Sequence, residues 1–130
     1  MTLVLDTSIL IDIERKEKKT IEKLRMLAAT NPAPAKITFM TQCEFLLGIK
    51  EKSPKNKDFA IVFLNKFTVL QTTKTTANIL SELKYSYDKK GVRLSLADSI
   101  IASLVIENNS TLVTKDKDFE KIEELKKIIL

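Results

Sequence analysis

The sequence predicts an α/β fold: a layered sandwich with a mostly parallel central sheet and helices on both faces. Two observations carry this prediction. Short apolar runs recur along the 130 residues, and segments of helical spacing lie between them. Strands joined through helices pair in parallel, and right-handed crossovers distribute the helices over the two faces. No internal repeat and no dividing linker breaks the pattern, so residues 1–130 read as one domain.

The elements follow in chain order. Leu3–Leu5 reads as the first buried strand. Ile9, Leu10 and Ile13 then give the apolar face of a helix. Ile21, Leu24 and Leu27–Ala28 give a second helix, and Pro32–Pro34 a loop. Ile37–Met40 is the next predicted strand. Phe45, Leu46, Leu47 and Ile49 suit a mostly buried helix, and Lys52–Asp58 reads as a loop. Ile61, Leu64 and Phe67 continue at helical spacing, and Phe67–Leu70 is a third strand. Ala77, Leu80, Leu83 and Tyr87 form a helix face that Gly91 ends. Ile101, Leu104 and Val105 mark another helix. Thr111–Val113 is a strand, and Ile128–Leu130 an added edge strand.

Composition excludes several chemistries. The chain has no His and one Cys. That removes Ser-His-Asp and Cys-His catalysis, His-ligated metal sites, multi-thiolate zinc and a disulfide framework. Cys43, with no His to activate it, reads as a small buried hydrophobe. No stretch approaches the apolar length of a membrane span, and the N-terminus lacks a signal-peptide pattern, so the cytoplasm is the expected location. The net charge of +5 leans only mildly toward polyanionic partners. The basic segments Arg15–Lys19 and Lys50–Lys57 are candidates to line a nucleic-acid path, although such segments are usually only solvated. Tyr87 fits the core; Tyr85 is open to base stacking.

The chemistry must then come from carboxylates, hydroxyls, lysines or a bound ion. In an open parallel sheet, ligands bind beyond the carboxyl ends of the strands. Asp6 directly follows the first strand. Asp116 lies just past Val113, and Glu44 is placed in the first turn of the helix after Ile37–Met40. This topology brings Asp6, Glu44 and Asp116 to one edge and leaves Asp98 open. Helix capping accounts for Asp6, Asp98 and Asp116 one at a time. It does not account for Glu44, flanked by Cys43, Phe45, Leu46 and Leu47, where a lone carboxylate is costly. Clustered carboxylates without cations raise one another's pKa or recruit a cation. All-oxygen donors suit Mg²⁺ or Mn²⁺, and such an ion supports phosphodiester hydrolysis. An aspartyl-nucleophile phosphatase fits poorly, because its second Asp would fall at Ser8.

Val4-Leu5-Asp6-Thr7-Ser8, Glu44 heading Glu44-Phe45-Leu46-Leu47-Gly48-Ile49, Leu96-Ala97-Asp98-Ser99-Ile100-Ile101-Ala102, and Thr111–Phe119 occur in that order. Together these motifs resemble a PIN domain, and most closely the VapC-type toxins of toxin–antitoxin pairs. The match runs from residue 4 to about residue 119. The resemblance implies a PIN-like three-layer sandwich and a metal-dependent endoribonuclease. It implies that Asp6, Glu44, Asp98 and Asp116 form an acidic quartet holding Mg²⁺ or Mn²⁺. It also implies that Ser8 and Thr114 orient the carboxylates through hydrogen bonds, with Asp118 as a further acidic neighbour. The expected partners are RNA as substrate, a second copy in a homodimer and a cognate antitoxin. The competing expectation is a PIN-like module that binds RNA or protein without catalysis. Leu47, where the family often carries Tyr, and Ser103 are departures outside the quartet.

Overall fold

The structure is a computed structural model that describes residues 1–130. Five strands are present: β1 (Leu3–Leu5), β2 (Lys36–Thr38), β3 (Thr68–Leu70), β4 (Thr111–Thr114) and β5 (Lys127–Ile129). Six helices join them: α1 (Thr7–Glu14), α2 (Lys18–Thr30), α3 (Phe39–Ile49), α4 (Pro54–Leu64), α5 (Lys74–Lys89) and α6 (Leu96–Glu107). A short 3₁₀ turn over Lys117–Lys121 follows β4. The strand order is β3-β2-β1-β4-β5, and every pairing is parallel. β1 is central, with Leu5 opposite Val113 of β4. The carboxyl ends of β1 and β4 therefore lie side by side.

Alternation along the strands divides the core into two layers. Val4 and Leu112 pack on one face with Leu83, Tyr87, Ile101 and Phe119. Leu3, Leu5, Ile37 and Val113 pack on the other with Ile9, Phe45, Ala60 and Leu64. The central strands are buried on both faces, which is why they read as unbroken apolar runs. Burying each large side chain contributes about 1.5–3 kcal/mol. Tyr87 is in the core, as expected, while Tyr85 is exposed. Gly91 sits at φ +73° just beyond α5, the left-handed conformation that a helix stop requires. No helix is long and apolar enough to cross a membrane.

Four local expectations are corrected. The predicted strand Ile37–Met40 ends at Thr38, whose hydroxyl accepts from the Thr41 amide and starts α3 at Phe39. Glu44 therefore lies in the second turn of α3, not the first. The predicted loop Lys52–Asp58 is largely helix, because Ser53 caps α4 and Pro54 occupies its first position. The helix carrying Phe45 is buried along one stripe only, through Thr41, Phe45 and Ile49. Leu46, Leu47 and Cys43 are exposed. A helix lying on a sheet hides the residues four apart and turns the intervening ones outward, however apolar they are.

Candidate functional site

β1 ends at Leu5, and Asp6 leaves the sheet at the amino end of α1. The capping explanation for Asp6 fails: its side chain makes no cap hydrogen bond. The carboxylate accepts instead from the Thr114 hydroxyl at 2.6 Å, across the parallel β1–β4 pair. Thr114 is fully buried and also accepts from the Asp116 amide at 3.0 Å. One hydroxyl thus ties the end of β1 to the segment that carries Asp116.

Asp116 does act as a cap, with Oδ1 accepting from the Asp118 amide at 2.9 Å. The cap and the cluster are compatible, since a carboxylate has two oxygens and about four acceptor positions. Asp98 lies in the first turn of α6, where Ser95 caps the helix by accepting from the Asp98 amide. Carboxylate oxygens of Asp98, Asp116 and Asp118 lie within 4.8 Å of one another. Asp118 thus joins Asp98 and Asp116 from the exposed side, and Asp6 and Glu44 are not part of this close group of three.

Glu44 reaches the site from α3. Its Oε1 accepts from the Thr7 hydroxyl at 2.5 Å. Thr7 also bonds Thr41 at 3.2 Å, which fixes the first turn of α1 against α3. Thr7 was not among the expected site residues; its signal in the sequence is only its place directly after Asp6. Ser8 departs from expectation. Its hydroxyl is buried and has no hydrogen-bond partner, and Thr7 makes the carboxylate contact expected of Ser8. Position along the helix decides this, since consecutive residues point about 100° apart.

The charges act on one another. Burial pushes the Asp6 carboxyl above its ordinary range. Hydrogen bonding through Thr114 and Thr7 opposes this, and the charges of Glu44 and Asp116 add to it. Burial also raises Asp98, with Asp116, Asp6 and Asp118 contributing and Ser95 opposing. None of Asp6, Glu44, Asp98 or Asp116 is in an ion pair. Lys115, between Thr114 and Asp116, turns away and pairs with Asp12 at 2.7 Å. Asp118 pairs with Lys121 at 3.6 Å, whereas Asp6, Glu44, Asp98 and Asp116 have no protein cation; oxygen donors left uncompensated in this way fit a hard divalent ion. They suit zinc poorly, because zinc sites draw most of their donors from His and Cys and none lies here.

The model of the PIN domain family matches residues 3–125. The protein named Ribonuclease VapC2 from Rickettsia felis is 25% identical over 127 residues, covering 96% of this chain and 95% of its own. The protein named Ribonuclease VapC from Rickettsia bellii is 29% identical over 131 residues, covering 96% and 93%. Among solved structures, VapBC2 from Rickettsia felis bound to a promoter DNA fragment contains a similar chain. It has a TM-score of 0.86 at 22% identity, with 100% of this chain and 99% of that chain covered. At that identity the structural likeness concerns the fold.

Proposed function

The chain belongs to the PIN domain family, and on that premise we propose that residues 1–130 form one domain that hydrolyses RNA as a divalent-metal-dependent endoribonuclease. The observation that carries the reading is the convergence of Asp6, Glu44, Asp98 and Asp116 at one sheet edge with no counter-cation. Four dispersed segments supply these carboxylates, and helix capping does not require their mutual approach.

These four residues would hold Mg²⁺ or Mn²⁺, with Asp118 as an additional oxygen donor. When bound, such an ion supplies neutralising charge at the phosphoryl oxygens and makes an attacking water more acidic. The protein's own contribution is positioning. Thr114 fixes Asp6 Oδ2, Thr7 fixes Glu44 Oε1, and the Asp118 amide fixes Asp116 Oδ1. The second oxygens of Glu44 and Asp116 stay free of protein hydrogen bonds. Preorganisation of this kind lowers the reorganisation needed as charge develops on the phosphate. As the PIN resemblance implies, water attacks phosphorus in line and loses a proton to solvent while the bond to the 3′ oxygen breaks and that oxygen takes up a proton, leaving a 5′-phosphate and a 3′-hydroxyl.

The Rickettsia relatives' ribonuclease names and the VapBC2 likeness support the further reading of a toxin under a cognate antitoxin; a cytoplasmic location and a homodimer belong to that reading, the homodimer as what the VapC resemblance implies. The test is cleavage of a mixed pool of structured and unstructured RNA by the wild type and by Asp98→Asn. Each is assayed with Mg²⁺, Mn²⁺ or EDTA, after removal of any co-purified protein. Activity should require the metal and fall by ~10²-fold or more in the variant. A fully active variant, or cleavage in EDTA, would overturn the shared acidic site. A wild type inert with every metal would favour a binding module instead.

A further inference from the structure

Two basic segments far apart in sequence meet in one place. Arg15 and Lys16 directly follow α1, and Lys52 lies just before α4. A recess of about 90 Å³ is bounded by Glu44 on one side and by Glu14, Arg15 and Lys52 on the other. The same three residues bound a larger recess of about 560 Å³, which continues past Lys16 to Asn56, Phe59 and Phe63. Glu44 therefore borders a recess that shares three lining residues with a second recess, a cleft between α1 and α4.

The lining has a consistent chemistry. Lys52 pairs with Glu14 at 3.3 Å, so that carboxylate does not repel an approaching anion. Arg15 and Lys16 are exposed and in no ion pair, although the charge of Arg15 also reaches Asp12. Lys16 holds φ +58°, a left-handed conformation that favours glycine, yet the chain places a lysine there. Phe59 is 65% exposed at the far end. Behind it, Phe63 stacks at an angle on Phe45, with ring centres 5.9 Å apart, and meets Phe67 edge-on at 5.4 Å. Unpaired cations followed by an exposed flat ring match a polymer with one phosphate and one base per repeat.

We propose that this cleft is the track for the single-stranded RNA flanking the cut phosphate. Arg15 and Lys16 meet backbone phosphates, and a base stacks on Phe59. The proposal rests on the nuclease reading for its direction, since it assumes that Glu44 faces the cut phosphate. It goes beyond that reading in naming where the strand lies.

The test is binding of a 5′-labelled single-stranded oligoribonucleotide in EDTA, so that no cleavage intervenes, followed by anisotropy over a range of salt. Arg15→Gln/Lys16→Gln should weaken binding ~10-fold or more and flatten the slope of log affinity against log salt by ~1.4, about 0.7 for each lost contact. Phe59→Ala should weaken binding ~5-fold or more with the slope kept. Lys89→Gln/Lys90→Gln, with the same charge change at the end of α5 on the other face of the sheet, should bind as wild type.

Wild-type binding by both cleft variants, an equal loss in the α5 control, or no RNA binding by the wild type would each overturn the track. Tighter binding of the deoxy oligonucleotide would overturn the choice of RNA. Cleft variants that keep RNA affinity but lose a co-expressed partner protein would reassign the cleft to protein and overturn the proposal. Parallel cleavage assays separate the two readings. A wild type that binds through the cleft but shows no cleavage with any metal sinks the nuclease and keeps the track. Cleft variants that cleave with unchanged KM sink the track and keep the nuclease.

Discussion

At the scale of single residues, Asp6 shows the tension between function and stability. It is buried, its carboxylate accepts from the Thr114 hydroxyl, its pKa is also lowered by the Thr7 backbone, and it faces the charges of Glu44 and Asp116. Its folded pKa lies above the unfolded value. The folded state therefore binds its proton more tightly, and stability is lost as pH rises through the folded pKa. At neutral pH in EDTA, Asp6→Asn should unfold at a higher temperature than wild type, by a gain on the order of 1 kcal/mol. Asn still offers an oxygen to the Thr114 hydroxyl. Thermal unfolding of both proteins in chelator checks this, and a lower melting temperature for the variant would show that Asp6 is not held against repulsion. Asp6 is also the residue whose role was easiest to read: an acid directly after the first apolar run. Thr7 and Ser8 were not separable in that way, because which neighbouring hydroxyl meets a carboxylate depends on the orientation of α1 against α3.

At the scale of elements, the segment after β4 is held from the side opposite the acidic cluster. Asp12 of α1 accepts from Thr20 of α2 at 2.6 Å and pairs with Lys115 at 2.7 Å. Burial pushes the Asp12 carboxyl up, but hydrogen bonds from Lys115 and Thr20 and the charges of Lys115 and Arg15 outweigh it. The net pKa is below 3.8. For an acid with a depressed folded pKa, the stabilisation is present above the unfolded value and lost as pH falls through the folded one. Asp12→Asn should thus cost ~1–3 kcal/mol at neutral pH. Lys115 is 44% exposed, so solvent screening keeps the ion-pair share of that cost small. The difference from wild type should be flat above ~pH 5 and shrink below ~pH 4, which denaturant titrations across pH would show. A difference independent of pH would assign the effect to packing alone. The same scale explains the misread α3: apolar letters at Leu46 and Leu47 suggest burial, but only the Thr41–Phe45–Ile49 stripe meets the sheet.

At the scale of the whole molecule, the proposed metal site would couple ion binding to the stability of the fold. Its members come from β1's end, α3, α6 and the segment after β4, so their repulsion acts between elements that must pack together. A ligand that binds only the folded chain stabilises it by mass action, about 2.7 kcal/mol at a hundredfold excess over Kd. Adding Mg²⁺ or Mn²⁺ should raise the melting temperature of the wild type, and chelation should reverse the rise. Asp116→Asn should abolish most of the shift. An equal shift in that variant would mark a general salt effect rather than a site.

The fold class and the polar outline of the site depend on local pattern, which a sequence states directly. Runs such as Leu3–Leu5 and Thr111–Val113 can be buried on both faces only inside a layered parallel sheet, and acids at their carboxyl ends fall at one edge by topology. The PIN motifs supplied Asp98, which topology alone had left open. What only the tertiary structure decided are contacts set by angles between elements. These are Thr7 rather than Ser8 on Glu44, the approach of Asp118 to Asp98 and Asp116, the Lys115–Asp12 pair, and the meeting of Arg15, Lys16 and Lys52. Each joins residues from different elements, and their separation depends on how helices pack on the sheet, a property that no run of adjacent residues encodes.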